Sequence, residues 1–125
     1  MKKKVSFDFD DCLDNLIVQE YCEELIDKGV EVWICTARMD NVFGNPNWND
    51  DVFFMAQRLG IPITNIIMTN GDIKSNFLKD KGFVWHLDDM NMNIIDITKR
   101  TDCIGILYTP WNLEWRDKCE LLLKK

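Results

Sequence analysis

Val5-Ser6-Phe7-Asp8-Phe9-Asp10-Asp11-Cys12-Leu13 begins as a strand and ends as a cluster of acid. Val5, Phe7 and Phe9 recur at period two, the spacing of one buried face of a strand. Asp8, Asp10 and Asp11 then crowd the end of that apolar run. Carboxylates this close repel, and each raises the cost of ionising the others. A helix cap with solvated turn neighbours accounts for one such residue, whereas a D-x-D at a strand end calls for a counter-charge. A hard cation such as Mg²⁺ supplies it, because it takes a few carboxylate oxygens and completes its shell with water and phosphate.

Downstream, strand and helix alternate. Asp14 is the expected N-cap of a first helix in which Leu16, Ile17, Tyr21, Leu25 and Ile26 follow helical spacing, with Lys28-Gly29 as the stop. Residues 30–35 (VEVWIC) read as a second strand, tipped by Thr36-Ala37-Arg38. An irregular, Asn-rich loop over 39–49 carries Phe43, Gly44, Pro46 and Trp48. Asp50 or Asp51 caps a second helix that stops at Leu59-Gly60. A third strand over 63–68 meets the turn Thr69-Asn70-Gly71-Asp72, and a short helix follows over 74–81. A fourth strand over 83–87 ends in Asp88-Asp89; a helix over 91–99, a fifth strand over 103–107 and a last helix over 113–123 complete the chain. The strands are near-continuous apolar runs, as parallel strands covered on both faces are. The expected fold class is α/β: one doubly wound, Rossmann-like, open parallel five-stranded sheet flanked by helices, as one domain over residues 1–125.

The composition sets limits on function. The chain is 46% hydrophobic, enough for a core at this size. With 21 Asp and Glu against 15 Lys and Arg, its net charge of −6 argues against an extended nucleic-acid surface. It leaves room for a nucleotide or a nucleic-acid end at a small local site. The five cysteines (Cys12, Cys22, Cys35, Cys103 and Cys119) are odd in number and include no CxxC pair. They form neither a disulfide framework nor a zinc pattern, and read as buried thiols of a reducing cytoplasm. Met1-Lys2-Lys3-Lys4 leads into no long apolar run, so neither a signal peptide nor a membrane span is expected.

The polar residues that stand out fall at strand carboxyl ends: Asp8, Asp10 and Asp11 after the first strand, Thr36 and Arg38 after the second, Asp88 and Asp89 after the fourth. Lys74 opens the helix before the fourth strand. In an open α/β sheet, ligands bind at that edge, where the strand order reverses. Taken singly, Thr36 is a cap, Lys74 a solvated helix residue and the Asp pair a turn; their joint placement at one edge points to a site. The ordered set Asp8-Phe9-Asp10, Thr36, Lys74, Asp88-Asp89 resembles the haloacid dehalogenase superfamily of phosphatases, over about residues 5–107. Two positions depart from the family pattern: Asp11 stands where the family usually has Gly, and Cys12 where it often has Thr or Val.

The resemblance implies a phosphoryl-transfer site. Asp8 is then the nucleophile that forms an aspartyl-phosphate, and Asp10 the general acid and base. Mg²⁺ is held by the Asp8 carboxylate, the Asp10 backbone carbonyl and Asp88 or Asp89, the other aspartate orienting Lys74 or a metal-bound water. Lys74 neutralises phosphate charge and Thr36 hydrogen-bonds it. From the residues themselves, Arg38 can fork onto a phosphate or substrate acid, or form a surface ion pair. Trp48 and Phe43 can stack on a base or pin the loop. His86, the sole histidine, reads as a packed residue close enough to Asp88 to tune it.

The spacings leave no room for a lid after the first or third strand. The expectation is a capless, Mg²⁺-dependent phosphomonoester hydrolase acting on a small phosphorylated substrate, with a nucleotide or nucleic-acid end ahead of a sugar phosphate. Water exclusion then falls to a large substrate, a partner subunit or the 39–49 loop. A catalytically silent, protein-binding relative is the first alternative. A receiver domain is the second, but it places its phosphoacceptor Asp after strand three, where this chain has Met68-Thr69-Asn70, and its Lys after strand five, where it has Tyr108-Thr109-Pro110.

Overall fold

The computed structural model describes residues 2–125. Five parallel strands, β1 (Lys4–Phe7), β2 (Glu31–Thr36), β3 (Ile66–Met68), β4 (Phe83–Asp88) and β5 (Ile104–Leu107), form one sheet in the order β3-β2-β1-β4-β5. Helices α1 (Leu16–Asp27), α2 (Asp50–Leu59), α3 (Ser75–Leu78), α4 (Asn91–Arg100) and α5 (Glu114–Leu123) cover its faces. The expected doubly wound α/β architecture is the one observed. Two crossovers carry the chain outward from β1 through β2 to β3, and a third returns it to the other side of β1. The strand order therefore reverses between β1 and β4, and their carboxyl ends form the edge at which open α/β sheets bind ligands.

Both faces are packed. On one, Val18 and Tyr21 of α1, Val52 and Ala56 of α2, and Trp115 and Cys119 of α5 close over Val5, Phe7, Ile34 and Trp85. Trp85 meets Phe7 edge-on at 5.3 Å and stacks on Tyr21 at 6.4 Å, so aromatic contacts tie the two central strands to α1. On the other face, Leu78 of α3 and Ile97 of α4 cover Cys35, Phe83 and Cys103. All five cysteines are buried free thiols. Among the described residues no helix is long and apolar enough to cross a membrane.

Several boundaries differ from the sequence reading. β1 stops at Phe7 rather than continuing to Phe9, because Phe9–Leu13 coils into a wide turn. The N-cap of α1 is Asn15, not Asp14, which closes that turn through its N–H to the Phe9 carbonyl. β3 is only three residues long, with a 3₁₀ turn over Ile63–Asn65 before it. α3 ends at Leu78, short of Lys81, since Lys79 is extended and Asp80 takes a left-handed φ of 58°.

One contact fixes the spacing between α4 and the sheet. A Cβ on Gly105 would lie 2.8 Å from both the Cα and the carbonyl oxygen of Ile94, atoms that cannot swing away as a side chain can. Gly105→Ala is therefore expected to destabilise the protein by about 1–3 kcal/mol, the usual cost of overpacking. Chemical denaturation is the check, and an unchanged midpoint would refute this close approach.

Candidate active site

The central pairing is built to bring acids together. Between β1 and β4 the register shifts: Lys4 faces Phe83 while Ser6 faces His86, so β4 carries one extra residue. That bulge sets His86 opposite Ser6 and Leu87 opposite Phe7, and the Asp8 N–H then donates to the Leu87 carbonyl at 2.8 Å. Asp8 and Asp88 thus leave adjacent strand ends side by side. With Asp89 they form a group of three carboxylates whose nearest oxygens lie within 4.8 Å of one another.

Lys74 answers this charge. The turn before it is stitched to the end of β2, Thr69 N–H to the Thr36 carbonyl, Asn70 N–H to that of Arg38, and Gly71 N–H to that of Ala37. Asn70 and Gly71 both take left-handed φ, which an Asn-Gly pair permits. The chain then turns inward at Lys74, whose Nζ donates to Asp8 Oδ1 and to Asp88 Oδ2, each at 2.7 Å. Lys79 and Lys81 are exposed and lie beyond α3. Burial works against the Lys74 ammonium, but Asp8 and Asp88 outweigh it and raise its pKa.

Asp88 is fully buried and hydrogen-bonded through both oxygens. Its Oδ2 accepts from Lys74, from His86 Nε2 at 2.8 Å and from Asn93 Nδ2 at 3.1 Å, and its Oδ1 from the Met90 N–H at 3.0 Å. Burial pushes its carboxyl up, yet the His86 and Lys74 contacts prevail and hold it well below the usual carboxylate range. Burial lowers the His86 pKa, so the imidazole is neutral, with its proton on Nε2 toward the carboxylate. Nδ1 then accepts from the Ser6 hydroxyl, 2.9 Å away. Ser6, Asn93 and this tautomer were not legible in the sequence, although Asn93 sits one turn into the helix that follows the Asp pair.

Asp8 behaves in the opposite sense. Burial first, then the negative field of Asp88 and Asp89, raises its pKa to about 8 against the pull of Lys74. Burial also raises Asp89, which has no cationic partner among the described residues. One ammonium faces three carboxylates, an acid excess suited to a hard cation. Asp8 and the half-buried Asp89 have free lone pairs to ligate it; Asp88 Oδ2 is spent on three hydrogen bonds, one of them from Lys74, while its Oδ1 accepts only the Met90 N–H.

The remaining expected residues divide. Thr36 is buried at the end of β2, and its hydroxyl accepts only a long 3.5 Å contact from the Arg38 N–H. The Asp10 carboxylate stands outside the group of three clustered acids. Arg38 Nε and Nη2 hold that carboxylate at 3.0 and 2.7 Å. The same guanidinium holds Asp51 through Nη1 and Nη2 at 2.6 and 2.8 Å. Of the two roles read for Arg38, the ion pair is the one seen here: its fork holds two aspartates of its own chain. Trp48 is half exposed and Phe43 fully exposed on the 39–49 loop, which Asn49 closes by donating to the Met39 carbonyl at 2.7 Å. Asp11 takes φ of 59°, the left-handed region that suits Gly and that Asp tolerates better than most residues. This is the backbone reason why a glycine would also fit there.

A scan against protein-family models and a search of curated proteins each returned no match to this sequence.

Proposed function

We propose that the protein is a capless, Mg²⁺-dependent phosphomonoester hydrolase of the haloacid dehalogenase type. The observation that carries this reading is the convergence of Asp8, Asp88, Asp89 and Lys74 at the switch point of the sheet. A metal held there by Asp8, Asp89 and the Asp10 carbonyl would neutralise phosphate charge as a Lewis acid. Asp8 attacks phosphorus; its new O–P bond forms as the bond to the leaving oxygen breaks, and Asp10 gives that oxygen a proton. Asp10 then takes a proton from a water that attacks the aspartyl-phosphate, releasing phosphate and restoring Asp8. Lys74 offsets charge on the transferred group, and the Thr36 hydroxyl donates to it. A nucleotide or nucleic-acid end suits an uncapped edge, with Phe43 and Trp48 exposed on the loop that follows β2. A receiver-type role fits less well, since the lysine that meets the acids precedes β4 instead of following β5.

The direct test is turnover of an aryl phosphate with Mg²⁺ and with excess chelator. Activity that requires the metal supports the proposal, and full activity in chelator removes the metal from it. Ligation also has a pH signature independent of turnover. Asp8 is raised from 3.8 to about 8, so the metal-free protein loses stability as pH rises through that interval. Mg²⁺ must displace the Asp8 proton below about 8 and competes less with it above. The Mg²⁺-induced rise in Tm is therefore expected to be larger at pH 8 than at pH 5.5. Equal shifts at the two pH values would count against Asp8 as a ligand.

A further inference from the structure

We propose that Arg38 and Asp51 are positioning residues for Asp10, and that turnover of esters with poor leaving groups depends on the pair. This rests on the phosphatase reading above. Asp10 leaves an irregular turn, with left-handed Asp11 beside it, and its carboxylate is half exposed. Among the described residues its side chain has one partner, Arg38. A two-pronged guanidinium–carboxylate contact fixes direction as well as distance, which a single hydrogen bond does not.

Arg38 is itself fixed on several sides. Its backbone carbonyl accepts the Asn70 N–H at 3.1 Å, its guanidinium lies 5.1 Å from the centre of the Phe9 ring, and its side chain is only 16% exposed. Asp51, in the first turn of α2, holds the far edge of the guanidinium and accepts the Val52 N–H at 2.9 Å. α2 thus sets the plane of Arg38, and Arg38 sets Asp10. Two carboxylates also leave the trio with net negative charge, which discourages Arg38 from capturing a phosphate for itself. Neither Arg38 nor Asp51 needs to touch substrate for this role. Its effect should appear where proton donation matters most, on alkyl esters, whose leaving oxygen is a strong base.

The experiment compares kcat for an alkyl phosphate and an aryl phosphate, with saturating Mg²⁺, in wild type, Asp51→Asn, Arg38→Lys and the double variant. Each single variant is expected to lose at least ~10-fold more on the alkyl than on the aryl ester, a part of the usual general-acid contribution. Lysine keeps the charge of Arg38 but has no fork. Because Asp51 acts through Arg38, the double variant should be no worse than Arg38→Lys alone. Equal losses on the two esters, or strictly multiplicative effects, would overturn the positioning role. Asp51 is an exposed side chain, so Asp51→Asn should fold even if Arg38→Lys does not. A wild-type protein that turns over neither ester removes the phosphatase reading and this inference with it; active wild type with unselective variants removes only the inference.

Discussion

Asp8→Asn is expected to abolish phosphate release from every ester while leaving the fold intact. The amide keeps the size of the carboxylate and still accepts from Lys74 Nζ, 2.7 Å away, but it cannot form an aspartyl-phosphate. The sign of the stability change is informative. Asp8 ionises only near pH 8, so at that pH and without metal its charge costs folding free energy. Removing it should hold or raise Tm at pH 8, and the Mg²⁺-induced shift should shrink. Asp10→Asn should behave differently, slowing turnover by ~10²–10⁴-fold with a smaller loss on aryl esters. Single-turnover phosphate release and thermal melts with and without Mg²⁺ check all of this. Substantial turnover by Asp8→Asn would reverse the two roles.

Lys74→Met should be costly twice over. On the proposed mechanism it removes the ammonium that offsets charge on the transferred phosphoryl group, a loss of ~10²–10³-fold in rate for one preorganised electrostatic contact. It also breaks a buried ion pair. Uncompensated, that costs about 3–5 kcal/mol. The lower end is expected here, because Asp88 keeps His86, Asn93 and the Met90 N–H, and Asp8 can take up a proton instead. Lys79→Met and Lys81→Met, on exposed residues beyond α3, should stay within about 0.5 kcal/mol and keep full rate. Rates with saturating Mg²⁺ and denaturation midpoints separate the two costs. If Lys79→Met is the inactive variant and Lys74→Met is normal, the phosphate-facing lysine has been misassigned.

The amino-acid sequence by itself determined the α/β class and the edge of the sheet at which acids gather. Apolar runs covered on both faces and regularly spaced helices are local patterns, and hydrophobic burial enforces them wherever the chain goes. Strand ends were less legible, because Phe9 keeps the apolar alternation while its backbone has already left the sheet. Only the tertiary structure decided which acids meet. The β4 bulge is a one-residue matter of pairing between segments some 80 residues apart, and no local propensity encodes it. It brings Asp88 beside Asp8, where Lys74 holds both, while Asp89 has no cationic partner among the described residues, a division that two adjacent aspartates do not reveal in sequence. The pairing of Arg38 with Asp10 and Asp51 is of the same kind: three charges read separately along the chain, which meet only once β2, the turn after β1 and α2 are brought to a common edge.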